Sequence, residues 1–281
     1  MSKILHLSSQ DYFISSLNTI TVEERRNQEP FALHSHEFDE LVIVSAGHGL
    51  HVWNDISYPI TCGDIFYINH DDIHSYESVN NLRLDNILYK REQLSVLSII
   101  EHYLPSKKAP EAERFWKINP SYLEQISTLI DNLAKEVEKP EPLSIHLAES
   151  LFLQLVIVLC RFRYHPDQIT TSSTHQLDIL FSVLHNNMAT SFNLELFCEQ
   201  QQISSRSLRR LFKAKTGMTI KGYSQQLRMC KAMNLLRNSK ESISTIAAEC
   251  GYDDSNYFSS AFHKETSLTP SEYRSRFIVS K

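Results

Sequence analysis

The chain has 281 residues, of which 42% are hydrophobic and only 6 are glycine, and its formal net charge is -5. This composition is typical of a folded protein with room for two domains and excludes long low-complexity segments. The charge is unevenly divided, because residues 176–281 carry 14 Lys and Arg against 9 Asp and Glu, whereas the rest of the chain is net acidic. A basic domain joined to an acidic one favours a phosphate-binding module attached to a domain with another task.

The five cysteines are widely spaced and form no C-x-x-C pair, which predicts reduced thiols in a cytoplasmic protein. The first residues lack the apolar core of a signal peptide. The most apolar stretch, residues 151–160, is about half as long as a membrane span, so we expect no contact with a membrane.

The first predicted elements are strands between about residues 20 and 95. Apolar runs at 41–44, 65–68 and 84–89 alternate with turn residues such as Gly47. Closely spaced short strands of this kind predict an antiparallel barrel or sandwich.

A cluster of histidines falls within these strands. His34, His36 and Glu40 have the spacing H-x-H-x-x-x-E, and His74 follows a later strand. Three imidazoles and a carboxylate would suit a site for Zn, Fe, Mn or Ni. With Trp53 and Tyr67 nearby, the same groups would equally suit the hydroxyls and C–H faces of a sugar. A third possibility is a barrel rim of hydrogen-bonded histidines without a ligand, and the spacing alone leaves all three open.

Two helices are predicted next. In the first, apolar residues recur at spacings of three and four residues from Leu123 to Leu133. The second runs from about 144 to 164 and has apolar residues on most sides. Such a helix packs against more than one neighbour, within its own domain or in a second chain. The segment 120–164 is therefore a candidate for homodimer contact. The polar stretch 165–175 then predicts a linker, and we expect domains at 1–165 and 176–281 with the linker at 166–175.

The last third of the chain contains a repeat. An offset of fifty places Phe212 on Phe262 and Thr216 on Thr266, and an apolar helix precedes each copy. This pattern predicts two helix-turn-helix units that hold double-stranded DNA with two recognition helices at once.

The first recognition helix is predicted to begin after the N-cap Ser204 and to bury Leu208 and Phe212. Its opposite face is basic. Arginines four residues apart project from one stripe and can read guanine, whereas cations displaced around the helix are better placed for phosphates. The predicted base-reading residues are Arg206 and Arg210, and the predicted phosphate contacts are Arg209 and Lys213.

The second recognition helix follows the turn residue Gly251 and is much less basic. Asp254 can cap it, and its apolar residues, among which we count Tyr257, are expected in the core. We therefore expect it to bind DNA more weakly than the first. Its predicted DNA-contacting residues are Asp254, Ser255, Asn256, Ser259 and His263.

One long helix is predicted over residues 219–238, between the two units. Such a connector would fix the recognition helices about 34 Å apart, so that both enter successive major grooves. Its cationic residues are expected to face water or phosphate: Lys221, Arg228, Lys231 and Arg237.

The stretch ISTIAAECGYDDSNYFSSAFHKETSLTPSEYR, at 243–274, resembles the C-terminal signature of the AraC/XylS-type transcription factors. Two positions depart from the family pattern, since Gln202 and Ser267 stand where glycine is usual. The motifs between His34 and His74 resemble those of the cupin barrel, and residues 10–165 are similar to the sensor domain of L-rhamnose-responsive activators.

The resemblance implies an α+β multidomain fold, with a cupin-like β-barrel and helical dimerisation segment followed by an all-α domain with two helix-turn-helix motifs. It also implies an activator of L-rhamnose metabolism genes that needs no cofactor, binds L-rhamnose as effector, binds promoter DNA as a homodimer and contacts RNA polymerase. The alternative is a metal-dependent cupin enzyme that acts on sugars and carries a DNA-binding domain. Metal ligands in that case would be His34, His36, Glu40 and His74.

Overall fold

The structure, a computed structural model, describes residues 4–54, 56–106, 108–118, 122–139, 141–163, 173–186 and 192–278. Its N-terminal part is a β-rich domain, as the sequence predicts. The strands are β1 (Leu5–Leu7), β2 (Ile20–Arg25), β3 (Phe31–His36), β4 (Asp39–Trp53), β5 (Ile56–Thr61), β6 (Asp64–Ile68), β7 (His74–Tyr89) and β8 (Phe115–Lys117).

Two long antiparallel strands organise this sheet. β4 has 15 residues and β7 has 16, and they pair along almost their whole length. The strand order is β1-β3-β7-β4-β6-β8, with β2 paired to β7 and β5 paired to β4. Both strands are longer than the apolar runs of the sequence predict. Bulges between Val44 and Leu50 shift the register with β7, and β4 continues beyond them.

The sheet separates two cores. Side chains alternate between the faces of a strand, so Val42 and Val44 of β4 lie in one apolar cluster with Phe66, while Leu41 and Ile43 lie in another. The second cluster is completed by two helices, α4 (Leu123–Val137) and α5 (Pro142–Arg161), which pack against each other and against β2. Three short helices precede them: α1 (Ser9–Tyr12), α2 (Leu97–Ile100) and α3 (Glu111–Arg114).

Helix α5 has about the predicted length, but it begins two residues earlier and ends about three residues earlier than predicted. It begins with Pro142 in the first turn, where the missing N–H group costs no hydrogen bond. By length and composition this 20-residue helix could cross a membrane, in contrast to the shorter stretch that the sequence analysis considers. Phe152, Leu155 and Leu159 are nevertheless buried against the barrel and α4, as in the core helix of a soluble domain.

The C-terminal part is helical over the residues described. Helix α6 begins at Ser173, so the last three residues of the predicted linker are helical, and residues 166–172 lie outside the described residues. The remaining helices are α7 (Leu194–Gln200), α8 (Ser205–Thr216), α9 (Ile220–Asn238), α10 (Ile243–Glu249), α11 (Ser255–Thr266) and α12 (Pro270–Ile278).

These helices form two lobes joined by α9, as predicted. One apolar cluster unites α6, α7 and α8 with the first half of α9, and a second unites its other half with α10, α11 and α12. With 19 residues, α9 is about 28 Å long. The helix-turn-helix pairs are α7–α8 and α10–α11.

Candidate functional site

The barrel contains a cavity of about 240 Å³ where β3, β4 and β7 meet. Pockets for drug-sized ligands measure roughly 300–1,000 Å³, so this cavity fits a molecule the size of a monosaccharide better than a nucleotide. It is lined by Leu7, Tyr12, Glu23, Arg25, Asn27, Gln28, Glu29, Phe31, His34, His36, Phe38, Glu40, His74, Tyr76, Asn86 and Leu88.

The structure brings together the four residues of the predicted histidine cluster. Glu40 Oε2 lies 3.5 Å from His36 Nε2 and 3.6 Å from His74 Nε2, and all three side chains are buried. Their ligand-forming atoms lie within 4.8 Å of one another, a spacing that could hold a metal ion. The ring of His34 lies 4.0 Å from that of His74, between centroids.

Hydrogen bonds to the backbone orient two of these imidazoles. His36 Nδ1 lies 2.5 Å from the carbonyl oxygen of Phe38, and His34 Nδ1 lies 2.9 Å from that of Ala32. A carbonyl oxygen only accepts, so each Nδ1 carries a proton and donates it. The Nε2 atom of a neutral ring is then left with its lone pair free for a ligand.

Four buried polar atoms of the cavity wall have no hydrogen-bond partner among the described residues. They are His36 Nε2, His74 Nε2, Tyr76 Oη and Asn86 Oδ1. A buried polar group without a partner costs about 1–3 kcal/mol, and such groups are rare in folded proteins. Four of them beside one cavity make it the candidate site for a ligand that supplies hydrogen-bonding groups.

Burial also sets the ionisation of this wall. Desolvation lowers the pKa of His34 and holds the pKa of His74 well below its usual range, so both rings are neutral near pH 7. Burial alone would lower the pKa of His36 as well, but the nearby Glu40 carboxylate, 3.5 Å from its Nε2, outweighs it and raises that pKa. Burial also raises the pKa of Tyr76, whose hydroxyl stays protonated.

One side of the cavity is apolar. Phe38 and Leu88 belong to a buried cluster against which Leu7 and Tyr12 pack, and all four line the cavity. The cavity therefore offers a ligand both polar groups and a hydrocarbon surface.

Tyr67 does not line this cavity, and its prediction as a ligand contact is wrong here. It pairs with Leu41 across β4 and β6, and paired residues share a face of the sheet. Leu41 follows Glu40 in the strand, so Tyr67 lies on the face opposite to Glu40. Its hydroxyl donates to Asp39 Oδ2 at 2.6 Å.

Trp53 also lies outside the cavity wall. Trp53 pairs with His74 on β7 and therefore shares the face of the sheet that carries His74. It is, however, the last residue of β4. Its ring packs 6.3 Å from that of Tyr58 and 5.3 Å from the guanidinium carbon of Arg114, which hold it away from the cavity.

Several lining residues were missed by the sequence analysis. Tyr76 could have been found, because it lies two residues after His74 and so shares its face of β7. Arg25 and Asn86 come from strands that meet the cluster only through the sheet register, and no spacing motif links them to His34.

The first recognition helix, α8, agrees with its prediction. Ser204 accepts a hydrogen bond from the Ser207 N–H at 3.1 Å, and Leu208 and Phe212 are fully buried. The basic face is exposed to solvent, with one weak ion pair of 3.4 Å between Arg209 and Glu195. The exposed cations are Arg206, Arg209, Arg210 and Lys213, and their contact with DNA stays a prediction.

The second recognition helix, α11, is capped by Asp254, whose Oδ1 accepts from the N–H groups of Asn256 and Tyr257 at 2.6 and 2.9 Å. Asn256 and His263 are exposed, whereas Ser255 and Ser259 are half-buried, and the Ser259 hydroxyl donates to the backbone carbonyl oxygen of Ser255 at 2.8 Å. Tyr257 was expected in the core but is 65% exposed, which makes it a further candidate for DNA contact.

Three of the four cations of α9, which are predicted to face water or phosphate, contact other parts of the protein. Arg228 donates to the carbonyl oxygen of Gly251 at 3.1 Å, and Lys231 donates to that of Glu249 at 2.7 Å. Both carbonyls lie at the C-terminal end of α10, where the helix dipole attracts cations. The side chain of Arg237 is 2% exposed, and only Lys221 is in solvent as expected.

Comparison with known proteins agrees with this two-part architecture. Residues 17–156 match the AraC-like ligand binding domain, and residues 197–276 match a helix-turn-helix domain. The chain is 46% identical to the HTH-type transcriptional activator RhaR of Pectobacterium atrosepticum over 98% of this chain and 96% of that protein. It is 48% identical to the RhaR of Mannheimia succiniciproducens over 99% of both chains.

Among solved structures, an AraC-type transcriptional regulator from Chromobacterium violaceum is 27% identical, covering 40% of this chain and 100% of its own, with a TM-score of 0.36. A ligand-binding barrel joined to a double helix-turn-helix domain defines a ligand-responsive, DNA-binding transcription activator, and not an enzyme. The chain belongs to the AraC family of such activators.

Proposed function

We propose that the barrel cavity binds L-rhamnose and that the bound sugar activates transcription of L-rhamnose metabolism genes. The observation that carries this proposal is the set of four unpartnered polar atoms on the cavity wall. Sugar hydroxyls both donate and accept, so they can satisfy imidazole nitrogens, a phenol and an amide oxygen at once. The rhamnose-regulator relatives support the same choice of ligand.

The apolar side of the cavity supports a 6-deoxy sugar in particular. L-rhamnose has a methyl group where L-mannose has a hydroxymethyl group. Phe38 and Leu88 offer a methyl group a dry contact, whereas a hydroxyl buried there without a partner would cost about 1–3 kcal/mol. L-lyxose, which lacks this carbon, would lose the contact at a similar cost.

Isothermal titration of the full chain with these three sugars tests the proposal. We expect L-rhamnose to bind roughly 5- to 150-fold more tightly than L-mannose or L-lyxose. Tyr76→Phe should weaken the binding of L-rhamnose by about 0.5–1.5 kcal/mol. Tyr89→Phe is the matched control, because that hydroxyl is also buried and unpartnered but its ring packs on Phe152 in the apolar cluster of α4 and α5 and does not line the cavity. Absence of heat with L-rhamnose would refute the effector assignment.

The DNA-binding domain is proposed to contact promoter DNA in the cytoplasm through the exposed residues of α8 and α11. The bound sugar would favour the arrangement in which the activator contacts RNA polymerase, and this requires tighter sugar binding to that arrangement. In this proposal the chain divides functionally into the sensor domain at 1–165, the linker and the DNA-binding domain at 176–281.

We propose α5 as the homodimer contact. Leu143 and Leu147 lie one turn apart on it and are 78% and 48% exposed. A two-fold dimer would bury this stripe against its copy and present two DNA-binding domains to two half-sites. Sedimentation of Leu147→Glu should show a monomer. Leu5→Glu, at an exposed leucine of β1, the strand that pairs with β3, should remain dimeric.

A divalent cation at His36, Glu40 and His74 is the second candidate for this cavity. The donor set fits, since two imidazole nitrogens and a carboxylate oxygen converge and His36 is held by a carbonyl behind it. A bound cation would supply Lewis-acid contacts to sugar hydroxyls. Elemental analysis and sugar titration before and after chelation test this candidate. Metal-free protein with full sugar affinity would refute it.

A further inference from the structure

The C-terminal ends of both recognition helices contact the same pair of barrel strands. A Cβ atom placed on Gly217, the residue that ends α8, would lie 4.0 Å from Gly47 Cα on β4. The hydroxyl of Ser78 on β7 donates to the carbonyl oxygen of Glu265, in the last turn of α11, at 2.8 Å. The N-terminal turns, which carry the predicted base-reading residues, lie at the other end of each helix.

The helix between these two contacts is held by the barrel as well. The Ser57 N–H of β5 donates to Asn234 Oδ1 of α9 at 2.8 Å. Leu50 of β4 is fully buried in the apolar cluster that contains Met233 and Leu236 of α9. The barrel therefore contacts the connector as well as both helices that it connects.

An ion pair adds a directional contact at the end of α9. Arg237 Nη2 lies 3.7 Å from Glu77 Oε1 of β7, and the arginine side chain is only 2% exposed. Its guanidinium carbon also lies 5.2 Å from the ring of Tyr273 in α12. A buried guanidinium that loses its carboxylate is strongly disfavoured, so this pair fixes the position of α9 on the barrel.

Three consecutive residues of β7 link the cavity to these contacts. Tyr76 lines the cavity, Glu77 pairs with Arg237, and Ser78 bonds to α11. Successive side chains of a strand point to opposite faces, so a shift of Tyr76 toward a ligand also moves the residue that faces α9. The strand is bulged here, with positive φ at Ser78 (49°) and at Gly47 (71°) on β4. Bulges of this kind change the direction of side chains locally.

We propose that residues 76–78 form a brace that sets the relative position of the two recognition helices according to the occupancy of the cavity. This proposal rests on the proposed sugar site, and it identifies the residues that connect that site to the DNA-binding domain. Sugar hydroxyls that bond Tyr76 order β7, and Glu77 and Ser78 then hold α9 and α11 in one arrangement. Because α9 joins the two recognition helices, fixing it and α11 on the barrel before DNA binding lowers the ordering cost when α8 and α11 enter two grooves.

DNA binding by the full chain, with and without L-rhamnose, tests the brace. In the natural protein we expect the sugar to raise DNA affinity by roughly 5- to 150-fold, the usual range of coupling between two sites. In Glu77→Gln and in Ser78→Ala we expect the sugar to raise DNA affinity by less than about twofold. The DNA affinity of both variants should stay near that of the natural protein without sugar. Calorimetry should show that both variants still bind the sugar, because neither side chain lines the cavity.

Glu24→Gln is the matched control, since Glu24 forms an exposed ion pair with Arg26 on the barrel and touches no residue of the C-terminal domain in the contacts described. It should keep the natural coupling factor. Variants of Glu77 and Ser78 that bind sugar and retain that factor would overturn the brace. Failure of the effector assignment is distinguishable, because the natural protein itself would then give no heat with L-rhamnose. In that case the brace is tested by DNA affinity measured without sugar. Glu77 and Ser78 variants with the same DNA affinity as the natural protein would overturn the brace.

Discussion

The two helix-turn-helix units have left-handed backbone conformations at equivalent turns, but different residue types adopt them. After the support helix, the left-handed position is Gln202 (φ 51°) in the first unit and Gly251 (φ 76°) in the second. After the recognition helix it is Gly217 (φ 72°) in the first and Ser267 (φ 61°) in the second. Each unit thus has one glycine and one residue with a side chain at equivalent turns, which shows that backbone geometry is kept while residue identity drifts.

The exposed faces differ much more than the turns. Among its described side chains helix α8 exposes four cations, whereas α11 begins at the carboxylate of Asp254 and has its cationic residues, His263 and Lys264, in its last turn. Phosphate attraction depends on cations near the DNA and loses strength with salt. The comparison therefore predicts that the first unit provides most of the electrostatic affinity and the second provides contacts that depend less on charge.

The largest effect is expected from the arginines of α8. Arg206→Ala or Arg210→Ala should cost about 1–3 kcal/mol at one base pair and relax discrimination there. Asn256→Ala in α11 should cost less. Binding to single-base variants of an operator selected from random DNA measures both. Arg209→Ala is the control, because that residue is predicted to touch phosphate. If Arg206→Ala and Arg210→Ala lose affinity equally at every sequence, the base-reading assignment is wrong.

The next effect tests whether the repeated threonines are equivalent. Thr216 is fully buried, donates to the Phe212 carbonyl at 2.8 Å and accepts from the Met218 N–H at 3.1 Å. Thr216→Val keeps the shape but leaves that N–H without a partner, at a cost of about 1–3 kcal/mol in the free energy of unfolding. Thr266 makes the same bonds but is half-buried, so Thr266→Val should cost less. Urea unfolding decides, and equal losses would contradict the argument from burial.

Exchange of the left-handed residues should give smaller changes of opposite sign. Gly217→Ala meets no close atom, so its cost is the left-handed backbone, about 1–2 kcal/mol. Ser267→Gly should stabilise the second unit by about 0.5–1 kcal/mol, because relief of the strain exceeds the extra entropy that glycine loses on folding. Thermal unfolding of both variants measures the changes. A destabilised Ser267→Gly would show that the serine side chain makes a compensating contact.

Features formed by residues that are close in sequence could be predicted, whereas features formed by residues far apart in sequence could not. The caps Ser204 and Asp254, the buried Phe212 and the cluster from His34 to Glu40 are local patterns, and the structure contains them. Tyr67 was misplaced because assigning its face requires the register between β4 and β6. Arg237 was assigned to solvent because its partner, Glu77, comes from a different domain, and no periodicity within α9 can indicate that contact.

The smallest effect sharpens the difference in charge between the two recognition helices. Lys213 of α8 and Lys264 of α11 are both exposed lysines in the second half of a recognition helix. If Lys213 contacts a phosphate, Lys213→Ala should reduce the slope of log affinity against log salt by about 0.9, with little change of sequence preference. Lys264 lies in the turn of α11 that contacts the barrel through Glu265, so Lys264→Ala should leave the slope unchanged. Titrations at several salt concentrations measure both slopes, and equal decreases would mean that the second unit carries phosphate contacts as well.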